Sequence, residues 1–226
     1  MKFTWMKWGV LPVAVLFAGS VAMAQDQSSS GSQSSSQSGG SEAAAPAEKP
    51  KPTVEQRKEN QQDRIANGVK SGQLTAGETA NLEKKEAAIN KETAKDRAAN
   101  GGKLTAAEKR QVNRQQNQMS KQIYADKHNA NTAHYGNNKV GQRRENQQDR
   151  IAQGVKSGQL TAGETAKLEK QQQGINKQVA ADRKANGGKL NASEKKQINK
   201  EQNAASKNIY HKKHNAKTQP GTEPKP

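Results

Sequence analysis

The sequence predicts an all-α protein made of two tandem helical repeats, with about three helices in each. Three observations support this: a long internal duplication, four helix-start motifs, and apolar residues that recur seven positions apart. Residues 57–130 match residues 143–216 at an offset of 86, with 52 of 74 aligned positions identical. A duplication of this kind is typical of repeat architectures, in which neighbouring units bury a shared core.

The helix starts are predicted by capping boxes, in which a Thr or Asn accepts a backbone hydrogen bond and a Glu three residues later reciprocates. Four such pairs occur: Thr75 and Glu78, Thr105 and Glu108, Thr161 and Glu164, and Asn191 and Glu194. A Gly-x-Leu precedes each box, which suits a chain reversal after the preceding helix. We therefore expect helices at about 57–67, 76–98 and 106–126, repeated 86 residues later.

The apolar spacing predicts a small core in each repeat. The first core is predicted to contain Ile65, Val69, Leu74, Leu82, Ile89, Leu104, Val112, Met119, Ile123 and Tyr124. The second is predicted to contain Ile151, Val155, Leu160, Leu168, Ile175, Val179, Leu190, Ile198, Ile209 and Tyr210. So few large apolar residues suggest units that depend on their duplicate, an oligomer or a ligand for stability.

The segments outside the repeats predict export and disorder. Residues 1–24 have Lys2 and Lys7, a short apolar run and an Ala-x-Ala ending, the pattern of a secretory signal peptide. An uncleaved anchor is the alternative. Residues 25–56 form a Ser/Gly/Pro-rich linker, residues 131–142 a connector and residues 217–226 a short tail, and both the linker and the tail are expected to be disordered. The expected location is periplasmic or extracellular.

Positive charge is the main indication of function. The net charge is +17, or +15 after removal of the leader, and the mean hydropathy is −1.17. Lys plus Arg outnumber Asp plus Glu by 15 to 9 in the first repeat and by 16 to 7 in the second. Such surfaces attract anionic envelope polymers or nucleic acid. The candidate anion-binding residues are Lys109, Arg110, Arg114, Lys195, Lys196 and Lys200. A solvated helical surface without a partner is the alternative.

Catalysis and cofactor binding are not indicated. The chain has no Cys, no nucleophile elbow and no dinucleotide or phosphate loop. The sequence therefore predicts a non-enzymatic protein without a cofactor and without a membrane span after signal cleavage, and it indicates no specific small-molecule ligand.

Metal binding is the weaker alternative. The spacing Gly-x-Leu-x-x-x-Glu matches the second half of an EF-hand loop, but the Asp-rich first half is missing. Degenerate divalent-cation binding therefore stays open, with helix capping as the better account of the four Glu residues. His211 and His214 lie three apart but have no shared counterpart in the first repeat, which favours a solvated helix end.

Three recurring motifs carry a resemblance to other proteins: Gly-Val-Lys-Ser-Gly-Gln-Leu-Thr-Ala-Gly-Glu from residue 68, Asn-Gly-Gly-Lys-Leu from residue 100, and Ile-Tyr-x-x-Lys-His-Asn from residue 123. Together they resemble a set of uncharacterised secreted bacterial proteins, a resemblance that covers about two thirds of the chain and implies no catalytic residues. The Gly content and hydrophilicity are similar to those of hydrophilins, which implies stress protection as an alternative function.

Overall fold

The computed structural model describes residues 51–221, which belong to one compact unit made of α-helices joined by short loops. The predicted signal peptide and most of the predicted linker lie outside the described residues. The all-α prediction is confirmed. The helices are α1 (Val54–Lys70), α2 (Ala76–Ala99), α3 (Ala106–Lys127), α4 (Lys139–Lys156), α5 (Ala162–Ala185) and α6 (Ala192–Lys213).

The four predicted capping boxes are all present at the N-termini of α2, α3, α5 and α6. A fifth, which the sequence analysis missed, starts α1, where Thr53 accepts from the Gln56 amide and the Gln56 side chain accepts from Thr53 N. Helix α4 has a simple cap, in which Asn138 Oδ1 accepts from Gly141 N at 3.1 Å. Local sequence thus fixes where each helix begins.

The reversal between α1 and α2 depends on two glycines. Gly72 has φ of +72°, a conformation in which a side chain is strained. A Cβ on Gly68 would lie 2.7 Å from two carbons of the Leu74 side chain, which packs directly on the helix. The second repeat has the same geometry at Gly154 and Gly158, which explains why this motif recurs unchanged.

The two repeats pack against each other through equivalent helices, α1 against α4 and α2 against α5. The Gly77 Cα faces the Gln173 side chain, while Gly163 faces Ala87. These two contacts are related by the repeat offset. From the first contact to the second, the residue number rises along α2 and falls along α5. Helices α2 and α5 are therefore antiparallel, and the repeats are related by an approximate two-fold axis.

The cores of the repeats interlock. Ala152 of α4 packs in the cluster of Ile65, Val69, Leu74, Leu82, Met119 and Ile123, and Ala66 of α1 packs in the cluster of Ile151, Val155, Leu160, Leu168 and Ile209. Each repeat also has a second apolar cluster, around Val112 in the first repeat and around Ile198 in the second. Neither of the first two clusters is complete without the other repeat.

The core prediction is confirmed except at its two tyrosines. Tyr124 and Tyr210 are 62% and 54% exposed, so their assignment to the core was wrong. Each ring stacks on a histidine one helical turn later, with centroids 4.1 Å apart for Tyr124 and His128 and 4.2 Å apart for Tyr210 and His214. This stacking covers part of each ring on the surface and accounts for the recurring Tyr-x-x-x-His spacing.

Some boundaries differ from those expected. Helix α1 begins at Val54, three residues inside the predicted linker, because Thr53 and Gln56 cap it there. Helix α4 takes in the last four residues of the predicted connector. In the predicted tail, Gln219 is buried, and its Oε1 accepts from Ala162 N at 2.7 Å at the start of α5. The tail residues up to 219 therefore contribute to a helix cap.

Candidate anion-binding surfaces

The six candidate anion-binding residues are all exposed, and they lie on two separate outer helices. Lys109, Arg110 and Arg114 lie on α3, which packs on α1 and α2. The other three, Lys195, Lys196 and Lys200, lie on α6, which packs on α4 and α5. The structure does not bring the two sets together into a single site.

Each outer helix presents a strip of four cations on one face. The α6 strip consists of Lys195, Lys196, Lys200 and Lys207, which line one shallow surface together with Ala192, Asn199, Asn203 and Ala204. At the equivalent positions, the α3 strip consists of Lys109, Arg110, Arg114 and Lys121. In each strip the last three cations are spaced by four and seven residues, which keeps them on one face, and the strip covers about 18 Å of helix. The same spacing rule identifies Lys121 and Lys207, which the sequence analysis missed.

A groove next to the α6 strip extends the positive surface. It has a volume of about 960 Å³ and lies between the start of α4, the end of α5 and α6. Its cationic lining residues are Lys139, Arg143, Arg183, Lys189 and Lys195, and no carboxylate is among its described lining residues. Arg143 is held in place by Asn199 and Asn203, whose Oδ1 atoms accept from its guanidinium. We call this the α4–α6 groove.

At the corresponding place in the first repeat, an acid neutralises the positive charge. Arg97, the counterpart of Arg183, forms an ion pair with Glu55. This ion pair lowers the pKa of Glu55. In the second repeat the position of Glu55 is taken by Gly141, where a Cβ would lie 2.1 Å from Gly136 O and 2.2 Å from Tyr135 O. The connector backbone therefore excludes any side chain at 141, and Arg183 has no carboxylate partner among residues 51–221.

The repeats also differ around one deeply buried cation. Lys58 is 2% exposed, and Glu86 and Glu55 lie within electrostatic range of it. Its counterpart, Arg144, is 7% exposed and lies 5.1 Å from the centroid of the Tyr135 ring. Burial lowers the pKa of Arg144, and the nearby charge of Arg183 lowers it further. Gln172 stands where the first repeat has Glu86, so both acids that surround Lys58 are replaced by uncharged residues.

Two further carboxyl groups are buried where the repeats meet. Glu83 and Glu169 are both 0% exposed, and each accepts one hydrogen bond, from Gln62 at 3.2 Å and from Gln148 at 2.9 Å respectively. Burial raises the pKa of Glu169 to about 8 and that of Glu86 to about 7, and it raises the pKa of Glu83 as well. The sequence analysis missed these groups because charge alone does not show which face of a helix is covered.

The four Glu residues of the capping boxes are occupied by hydrogen bonds from the chain. Glu78 Oε2 accepts from Thr75 N at 2.9 Å, and its Oε1 accepts from Asn129 at 2.8 Å. Burial opposes the charged form, but the bonds from Thr75, Asn129 and Asn131 hold the pKa of Glu78 below its usual value. The same ties recur in the second repeat, where Asn215 donates to Glu164 at 2.7 Å. Within residues 51–221 no three His, Cys, Asp or Glu side chains cluster as metal ligands would.

The two histidines at the end of α6 flank Tyr210. His214 Nδ1 lies 2.8 Å from Tyr210 O, and the His211 ring meets the Tyr210 ring edge-on, with centroids 5.9 Å apart. A transition metal would have to break the His214 contact to use that nitrogen. This geometry favours packing at a helix end.

A comparison of the chain with protein families, characterised proteins and solved structures finds no match. Over the part of the chain that the structure describes, none of the helices combines the length and apolar character needed to cross a bilayer.

Proposed function

We propose that this is an exported, non-enzymatic binding protein for anionic polymers, such as charged envelope polymers or nucleic acid. The observation that carries the proposal is the acid-free strip of four exposed lysines on α6, repeated by four cations on α3. Both strips lie on the helices that stay outermost when the two repeats pack together. The packed face and the binding face of each repeat are thus separate.

The strip geometry suits a flexible polyanion. Each strip spans about 18 Å, long enough for several successive phosphate or carboxylate groups of one polymer. Lysines on flexible stems make point-charge contacts that tolerate variation in ligand geometry. No exposed aromatic residue lies on either strip, which disfavours recognition by base stacking. Two modest strips on one chain also gain avidity when a single polymer reaches both.

The direct test compares two variants of equal net charge. The first replaces Lys195, Lys196, Lys200 and Lys207 by Gln, which removes the α6 strip. The second replaces Lys84, Lys85, Lys91 and Lys95 of α2 by Gln, all of them exposed and outside the strip. Dissociation constants for long-chain polyphosphate are measured by fluorescence anisotropy at about 50 mM salt.

We expect the α6 variant to bind at least about tenfold more weakly than the α2 variant, because four adjacent contacts are lost together. Since both variants lose the same charge, the difference reports the strip and not the overall field of the protein. Equal weakening in both variants would mean that only net charge matters. Undiminished binding in the α6 variant would exclude this strip as the site.

A further inference from the structure

The second repeat carries two arginines that lack the counter-ions of the first repeat. The Arg144 side chain is only 7% exposed, and its Nε has no hydrogen-bond partner. Its guanidinium lies over the Tyr135 ring and is repelled by the charge of Arg183. A buried charge is strongly unfavourable unless it is paired. This arrangement is therefore incomplete as it stands.

The first repeat shows what completes such a cluster. There, the cations Lys58 and Arg97 are matched by two acids, Glu55 and Glu86. In the second repeat the cations remain, as Arg144 and Arg183, but the acids are replaced by Gly141 and Gln172. The same fold thus places acids beside the two cations in one repeat and uncharged residues at those positions in the other.

We propose that the second repeat binds a phosphate-type oxyanion at Arg183 in the α4–α6 groove, with the buried Arg144 as a second source of positive charge. The bound anion takes the electrostatic place that the Glu55 carboxylate has beside Arg97. The groove admits it from solvent, since Arg183 is half-buried and lines the groove wall.

A phosphate-type group fits better than a halide for two reasons. Arginine offers a planar fork of N–H donors, which matches the spacing of two oxygens on one phosphate or carboxylate. A dianion also balances the uncompensated charge of two arginines. The remaining cations of the groove, Lys139, Arg143, Lys189 and Lys195, give a path for a longer phosphate-bearing ligand. The ligand is therefore free phosphate or a phosphate group on a polymer.

The experiment uses the full mature chain and inorganic phosphate as the probe. Thermal unfolding is followed in phosphate and in chloride of matched ionic strength, and dissociation constants are measured by titration calorimetry. The test variant is Arg183→Gln. The Arg183 side chain is half-buried, so its replacement leaves the core intact. The matched control is Arg97→Gln, the same change at the paired arginine of the first repeat.

We expect phosphate to raise Tm more than chloride does in the unaltered protein. Arg183→Gln should weaken phosphate binding about tenfold or more, because a charge-assisted hydrogen bond is lost. Arg97→Gln should keep the wild-type affinity. Equal effects of phosphate and chloride, or equal effects of the two substitutions, would overturn the proposal.

A second variant tests the role of Arg144 without removing it. Gln172→Glu restores the acid that the first repeat has at position 86. We expect weaker phosphate binding together with a higher Tm in phosphate-free buffer, because Arg144 then has an internal counter-ion. A lower Tm combined with unchanged phosphate affinity would show that Arg144 has no part in the site.

Polyphosphate separates the two sources of the ligand. If the site takes a phosphate group within a polymer, Arg183→Gln weakens polyphosphate binding and free phosphate competes with the polymer. If it takes free phosphate alone, the substitution changes phosphate affinity but not polyphosphate affinity. The site shares only Lys195 with the α6 strip, and the four-lysine variant of α6 keeps both arginines.

Discussion

At the scale of single residues, the buried carboxyls Glu83, Glu86 and Glu169 determine how stability depends on pH. Burial raises their pKa values above the ordinary value of 4.5, to about 7 for Glu86 and about 8 for Glu169. As the pH rises past 4.5, the unfolded chain releases these protons while the folded chain keeps them. The free energy of unfolding should therefore fall as pH rises from about 4.5 to about 8.

Glu169→Gln should reduce this pH dependence. The amide is uncharged at every pH, so Tm at pH 8 should rise relative to the unaltered protein, while Tm at pH 5 changes little. Thermal unfolding monitored by circular dichroism between pH 5 and pH 9 measures the effect. The control is Glu145→Gln, which is exposed and should leave the pH profile unchanged. A profile equally steep in both variants would show that Glu169 is ionised in the folded state.

At the scale of secondary-structure elements, the start of α5 depends on residues distant in sequence. Gln219 Oε1 accepts from Ala162 N at 2.7 Å in a buried setting, and Gln219 N donates to Gly158 O at 2.9 Å. Gln219→Ala leaves the Ala162 amide without that acceptor, at a cost of about 1–3 kcal/mol in the free energy of unfolding. Urea unfolding measures it. The control, Lys217→Ala, changes an exposed neighbour and should have little effect.

Helix positions were largely predictable from sequence because they depend on local signals. The capping boxes and the seven-residue spacing of Leu82 and Ile89 indicate both where helices begin and which face is covered. The start of α1 was missed because Thr53 is followed by Gln56 and not by Glu. Tyr124 was misplaced because its position on the helix lies next to the buried Ile123. The Gln219 cap could not be foreseen, since nothing local to the tail indicates α5.

At the scale of the whole molecule, the two repeats behave as one folding unit. Ala66 and Ala152 each pack in the core of the other repeat, so separation of the repeats would expose part of both cores. Calorimetry should show a single unfolding transition whose calorimetric and van't Hoff enthalpies agree. Ala152→Leu should lower the stability of the entire unit by about 1–3 kcal/mol, because it overfills the α1–α4 contact. Two separate transitions would contradict the interlocked arrangement.

The pairing of repeats also explains why the candidate sites were only partly predictable. The strips on α3 and α6 are local patterns, so Lys109 and Lys195 were identified directly. That Arg144 and Arg183 lack counter-ions becomes clear instead from a comparison of neighbouring positions in the two repeats, Glu55 with Gly141 and Glu86 with Gln172. The aligned repeats display these differences, but only the fold shows that Glu55 and Glu86 lie beside the same buried cation, Lys58.

The central functional claim is electrostatic binding of an anionic polymer, and the salt dependence of binding tests it most directly. The affinity of the chain without its predicted signal peptide should be measured for polyphosphate by fluorescence anisotropy between about 50 and 500 mM salt. We predict that the logarithm of the affinity falls linearly with the logarithm of salt concentration, with a slope of about −3 for one strip of four cations and steeper if both engage. An affinity that stays constant across that range, or no binding at about 50 mM salt, would contradict the claim.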